Sequence, residues 1–121
     1  MPENNIVGAS VPRKEGREKV TGAARYVDDM VLPGMLYGAT VRSKIARGKI
    51  KKISYDPSIS WNEFILVTAK DIPGKNCIAL ILDDQPCLAS EVVNHQEEPI
   101  LLLAHADRHK LRKAVEAVSI E

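Results

Sequence analysis

Read from its N-terminus, the chain shows no sustained hydrophobic period before Met35. Residues 5 to 34 scatter Ile6, Val7, Val11, Val20, Tyr26, Val27, Met30, Val31 and Leu32 among charged positions and are punctuated by Pro12, Gly16, Gly22, Pro33 and Gly34. That pattern predicts extended, turn-rich chain with at most one short helix. Its apolar side chains have no face of their own element to gather on, so residues 1 to 34 are expected to form an arm around a core made by residues 35 to 121. From Met35 the pattern changes. Met35, Tyr37, Ala39 and Val41 alternate with Leu36, Gly38, Thr40 and Arg42, the period of two of a half-buried strand. Residues 48 to 55 are expected to be its hairpin partner, with a bulge or a late start that buries both Ile50 and Ile53, which fall on opposite parities.

Asp56, Pro57 and Ser58 mark a turn, and Ser58 or Ser60 is placed to cap a single helical turn through Trp61 and Glu63. Residues 64 to 68, 78 to 82 and 100 to 104 are continuous apolar runs bounded by turn signals, and all three are expected as strands of a central sheet. Between the first two, Ile72, Pro73 and Gly74 stand in the order of a type II turn, while Asp83 and Asp84 end the second in solvent. Asp107 is a candidate N-cap. After it Leu111, Ala114, Val115 and Val118 recur at spacings that put them on one face of a helix over 107 to 118, opposite Arg108, Lys110, Arg112, Lys113 and Glu116. Residues 119 to 121 begin a further strand. The whole reads as a single α+β domain with a mixed sheet, one main C-terminal helix and an extended N-terminal arm.

Composition narrows the partners. A chain of 121 residues with 45% hydrophobic and 27% charged positions is ordinary for one globular domain. A net charge of +1 supplies no field to attract a phosphate backbone or an acidic bilayer, so nucleic acid and membranes are not expected as partners. The first ten residues carry neither a charged n-region nor an apolar h-region, and no apolar run approaches the roughly 18 residues of a membrane span. A cytoplasmic location is the expectation. Cys77 and Cys87 stand apart with no CxxC pairing and no histidine at ligand spacing, which suggests neither a zinc site nor a disulfide framework.

Candidate chemistry is sparse. His95, His105 and His109 never form HExxH, and the i, i+4 pair of His105 and His109 straddles the expected cap, so a shared helical face for a metal is not indicated. Asp28-Asp29 and Asp83-Asp84 are sequence neighbours, which point apart in extended chain and are commonly capping or solvated groups in turns. Arg42, Lys44, Arg47, Lys49, Lys51 and Lys52 form a basic run with only Tyr55 nearby, better suited to protecting a hairpin edge than to gripping a single strand of nucleic acid. Gly34, Gly38 and Gly74 are too scattered to cradle a phosphate. No Ser, Cys or Thr stands beside a candidate base. The residues therefore assign no catalytic, cofactor-binding or metal position.

A resemblance adds what the residues alone do not. Glu18-Lys19-Val20-Thr21-Gly22-Ala23-Ala24-Arg25-Tyr26-Val27-Asp28-Asp29 resembles the E-K-V-T-G-x-A-x-Y-x-D-D signature of molybdenum hydroxylase large subunits, the xanthine dehydrogenase and aldehyde oxidase family. In order there follow Leu32-Pro33-Gly34-Met35-Leu36, Val41-Arg42-Ser43 and Arg47-Gly48-Lys49-Ile50. Val67-Thr68-Ala69-Lys70-Asp71-Ile72-Pro73-Gly74-Lys75-Asn76 is similar to the family's V-T-A-x-D-x-P-G-x-N, and Gln85-Pro86-Cys87-Leu88-Ala89 to its P-x-L-A segment. Gly22 and Gly34 suit backbone of positive φ, and Pro33 fixes the turn that delivers the first strand. Two positions depart from the pattern: Lys44 stands where a proline is usual, and Glu97 where a glycine is.

The resemblance implies the N-terminal α/β-hammerhead domain, which in the family precedes the larger molybdopterin-binding region. It carries no catalytic residue over to this sequence, because the family's catalytic glutamate and cofactor contacts lie in that later region. It implies a parent that hydroxylates an aromatic heterocycle or aldehyde with oxygen from water, using molybdopterin, with [2Fe-2S] clusters and FAD on partner domains or subunits. An open frame of several hundred further residues is expected. The chain alone is expected to be catalytically silent and to carry no molybdenum, iron or flavin, and to compensate for absent neighbours either by self-association, as a homo-dimer through the arm, or by a mobile N-terminal arm. The competing reading is a self-sufficient small binding or carrier-like module. A carrier needs a lysine at an exposed hairpin tip between acidic or methionine neighbours, and no lysine here has that setting.

Overall fold

A computed structural model describes residues 7–79 and 81–121. The chain divides into two compact units, Met1–Pro33 and Gly34–Glu121.

Among the described residues, the first unit holds one short helix, α1 (Gly16–Val20), and a single 3-10 turn over Val27–Asp29. It is the turn-rich segment that the sequence predicts. Thr21 follows the helix and its Oγ1 donates back to the Arg17 carbonyl at 2.8 Å, while the Ala23 N–H reaches the Glu18 carbonyl at 2.9 Å. Gly22, Gly34 and Gly74 take φ of +72°, +76° and +87°, the left-handed backbone their turns require. Val7, Val11, Val20, Tyr26, Val27, Met30, Val31 and Leu32 are each more than half exposed; Ile6 lies outside the described residues.

The second unit contains, among the described residues, β1 (Tyr37–Arg42), β2 (Gly48–Lys49), β3 (Ile53–Tyr55), β4 (Ile65–Val67), β5 (Val92–Val93), β6 (Pro99–His105), the helix α2 (Arg108–Glu116) and β7 (Val118–Ile120). β6 takes the middle of a three-stranded sheet ordered β1-β6-β4. Its Ile100, Leu101 and Leu103 are essentially inaccessible, the burial expected of a strand whose two faces are both covered. β1 runs against it from Tyr37 opposite His105 to Val41 opposite Leu101, and β4 from Ile65 opposite Ala104 to Val67 opposite Leu102. β2 pairs with β5 and β3 with β7, so within the α+β class every strand pairing is antiparallel and not mixed.

α2 begins where expected. The Asp107 carboxylate accepts the backbone N–H groups of His109, at 2.7 Å, and Lys110, at 3.1 Å, meeting donors that have no partner inside the first turn. Leu111 and Ala114 are buried, and the helix packs on β1 and β6.

Three expectations need correction. Residues 48 to 55 are not the hairpin partner of β1. The Ser43 N–H binds the Glu98 carbonyl, and the chain leaves the sheet there; β2 then pairs with β5, and beyond Ile50 the segment turns to residues 118 to 121. The parity break between Ile50 and Ile53 is a change of partner, which lets both pack on the core without a bulge. Among the described residues of the run 78 to 82, none lies in a strand. Ile78 makes one bridge to Gln85, Ile81 and Leu82 are exposed at 96% and 68%, and Leu80 lies outside the described residues. Finally, α2 ends at Glu116 with Ala117 as its cap, so Val118 is buried from strand β7 and not from the helix. A run of apolar residues does not by itself fix strand partner, loop or helix end.

Candidate functional site

The motif residues act first on the backbone around them. In the 3-10 turn Ala69–Asp71, the Asp71 carboxylate accepts both the N–H and the hydroxyl of Thr68 at 2.7 Å, and Thr68 Oγ1 accepts the Lys70 N–H at 3.3 Å. The Thr68 N–H holds the Asp71 carboxyl below its ordinary range. Further along, Asn76 Nδ2 donates to the Leu88 carbonyl at 2.7 Å while its Oδ1 accepts the Leu88 N–H at 3.1 Å. That two-point clamp ties the end of the Pro-Gly-x-Asn motif to the Pro-x-Leu-Ala motif and closes the intervening loop, which carries Ile81 and Leu82 outward. A side-chain amide carries its donor and its acceptor on separate atoms, so it can bind the N–H and the C=O of one residue together.

A second constellation surrounds a cavity of about 460 Å³. Its floor is Val41, Ile50, Val93, Ile100, Val118 and Ile120, and its rim carries Arg42, Lys44, Lys49, Glu97, Glu116 and Glu121. The turn leaving β1 forms one wall. Ser43 Oγ donates to the Ile45 carbonyl at 2.8 Å and accepts the Ile45 N–H at 3.2 Å, so this hydroxyl holds a turn at whose next position the family usually has proline. Ile45 folds back until its Cδ1 stands 2.6 Å from where a β-carbon on Gly48 would lie, so a larger residue there would displace the end of the Ile45 side chain. Across the rim, Arg42 Nη1 donates to the Glu97 carbonyl at 2.8 Å. Glu97 itself sits at φ +67°, the left-handed conformation that a glycine would adopt freely.

The third feature is an ion cluster at the end of β6. Lys110 Nζ donates to Glu63 Oε2 at 2.7 Å, which depresses the Glu63 carboxyl and raises the Lys110 ammonium from their ordinary values. His105 Nε2 stands 3.8 Å from the same oxygen. The Asp107 N–H donates to His105 Nδ1 at 2.8 Å, which leaves the ring proton on Nε2, facing Glu63. Phe64 packs on the imidazole at 4.6 Å between centroids, and Trp61 and Tyr55 continue the aromatic row. The Trp61 indole N–H binds the Asp56 carbonyl at 2.7 Å. This cluster joins the Trp61–Glu63 turn to α2. The ion pair and the aromatic stack brace that junction.

The other residues weighed from sequence remain apart. His95 is exposed and bonded through Nδ1 to the Gln96 carbonyl, Asp29 closes the turn at Tyr26, and Asp83 pairs with Lys75. Of the basic run, Arg42, Lys44 and Lys49 reach the cavity rim, and Lys51 pairs with Glu121. The sequence reading missed Asn76, Ser43 and the Glu63–Lys110 pair. For Asn76 a signal existed, an asparagine two residues after Pro73-Gly74; the Ser43 turn is local but carries no distinctive pattern, and the Glu63–Lys110 pair depends on a contact across the fold.

An iron-sulfur cluster is among the groups that the resemblance implies, and the described residues offer it no ligand set. No three His, Cys, Asp or Glu among these residues converge as ligands, and the two cysteines fall short of the thiolates a cluster takes. No helix among the described residues is long and apolar enough to cross a membrane.

These features define a small antiparallel α+β domain whose motif residues shape turns. Comparison with known proteins gives its family. Residues 21–121 match the aldehyde oxidase and xanthine dehydrogenase a/b hammerhead domain, and the chain belongs to that family. It is 38% identical over 115 residues to xanthine dehydrogenase 1 of Arabidopsis thaliana, covering 93% of this chain and 8% of that protein. It is 29% identical over 118 residues to the nicotinate dehydrogenase large molybdopterin subunit of Eubacterium barkeri, covering 96% and 28%. Among solved structures, reconstituted CO dehydrogenase from Oligotropha carboxidovorans superposes with a TM-score of 0.83 at 30% identity, over 94% of this chain and 15% of that one. The chain thus spans less than a third of the length of these relatives.

Proposed function

We propose that this chain is a structural and interface domain of the molybdopterin-binding subunit of a xanthine dehydrogenase-like oxidoreductase, located in the cytoplasm. The parent enzyme hydroxylates a heterocycle or aldehyde with oxygen from water, and its molybdopterin, [2Fe-2S] and FAD groups are held by other domains or subunits. The isolated chain turns over nothing and binds none of these groups. One observation carries the reading: the family motifs are spent on turns, caps and the Asn76 clamp, while the apolar side chains of the first unit lie exposed. Exposed apolar surface of that extent marks an interaction site. The partner it fits is the remainder of the molybdenum subunit, with the iron-sulfur and FAD domains beyond it.

Hydrogen exchange tests the assignment. Amides of residues 7 to 32 should exchange rapidly in the 121-residue chain and become protected when the same sequence is part of a complete large subunit. Equal protection in both settings would show that the arm closes its own surface and would remove the interface role.

A further inference from the structure

β4 is an outer strand of its sheet, with β6 on one side. Among the described residues no backbone hydrogen bond joins Ile65, Leu66 or Val67 to anything on the other side. The surrounding run, Phe64-Ile65-Leu66-Val67-Thr68-Ala69, has no charge, proline or glycine, and Ile65 is 52% exposed. Natural edge strands are commonly blocked by lysine, proline or a bulge. This chain uses such devices elsewhere: Lys49, Lys51 and Lys52 along β2 and the approach to β3, and Arg42 with a register shift at the end of β1. β4 has none of them, and a bare edge of this kind accepts another strand.

We propose that β4 pairs antiparallel with β4 of a second copy of this chain, joining two three-stranded sheets into one of six strands about a two-fold axis. A register centred on Leu66 sets Ile65 of each copy opposite Val67 of the other, a β-branched pair that contributes packing as well as ladder hydrogen bonds. The ends are complementary. Glu63, whose Oε2 already takes the Lys110 ammonium, precedes the strand and Lys70 follows it, both exposed, so antiparallel pairing adds each copy's Lys70 ammonium to the acidic end of the other. A net charge of +1 leaves little long-range repulsion between copies. Because one patch meets itself, the assembly closes at the dimer.

Sedimentation velocity of the 121-residue chain, from a few to several hundred micromolar, reads the proposal directly. A reversible dimer is expected, and Ile65→Lys should weaken it by about tenfold or more, since an edge lysine opposes strand addition. The arm variant Val20→Asp/Val31→Asp should leave dimerisation unchanged. Amide exchange at Leu66 and Val67 in the unaltered chain should slow as concentration rises, a readout that needs no variant to fold. A strict monomer, an open series of larger assemblies, a dimer broken by the arm variant, or β4 exchange independent of concentration would each overturn the proposal.

Discussion

Glu97 offers the cleanest single perturbation. It is the only described non-glycine residue with positive φ, at +67°, and it stands where the family's pattern has glycine. Its backbone does necessary work there: its N–H binds the Ser43 carbonyl at 3.0 Å and its own carbonyl accepts Arg42 Nη1 at 2.8 Å. The conformation is therefore held from outside, against the clash between a β-carbon and the following carbonyl. That clash costs roughly 1–2 kcal/mol for an L-residue. Replacing Glu97 by glycine removes it, offset by about 0.4–1 kcal/mol for the freer unfolded chain. The net expectation is a gain of roughly 0.5–1 kcal/mol for Glu97→Gly, or about 2–5 °C in Tm for a domain of this size. Glu97→Ala keeps the β-carbon and so keeps the strain, and it should not stabilise. Urea unfolding of the three proteins separates the cases. If alanine and glycine prove equal, or glycine destabilises, the strain argument at this turn is wrong.

Leu111, 3% exposed, fixes α2 to β1 and β6, and Leu111→Ala should cost about 2–5 kcal/mol in chemical denaturation. Asn76→Ala removes both bonds to Leu88 and should cost roughly 1–2 kcal/mol, with faster proteolytic cleavage between residues 78 and 84 as the loop opens. Asp56, Glu63, Asp71 and Asp107 all have lowered carboxyl pKa values, through the Ser58 N–H, Lys110, the Thr68 N–H and the Lys110 N–H respectively. Groups depressed by folding contribute stability above their unfolded pKa and lose it as pH falls through the folded value, so the urea midpoint should be flat near neutrality and fall below about pH 4. In Lys110→Met the Glu63 carboxyl should titrate closer to its ordinary value, as followed by NMR.

What sequence made legible follows from which interactions are local. The Asp107 cap, the helix face at Leu111 and Ala114, the central run 100 to 104 and the turns at Gly22, Gly34 and Gly74 rest on contacts within a few residues or on burial from both sides. The pairing of 48 to 55 was not legible, because choosing β5 and β7 over β1 depends on where the chain turns after Ser43. Residues 78 to 82 have the composition of a strand, yet the Asn76 clamp closes a loop in which Ile81 points to solvent. Apolar composition alone does not separate an exposed loop from a core strand. The family motifs were visible as strings, but their structural use became clear only when Thr68 met Asp71 and Asn76 met Leu88.

The most direct test of the central claim is the molybdenum content and hydroxylase turnover of the purified 121-residue chain, measured by elemental analysis and by assay with heterocyclic and aldehyde substrates. The interface-domain reading predicts no bound molybdenum and no turnover above background in a chain that is folded by circular dichroism. Stoichiometric molybdenum with substrate-dependent hydroxylation would contradict it.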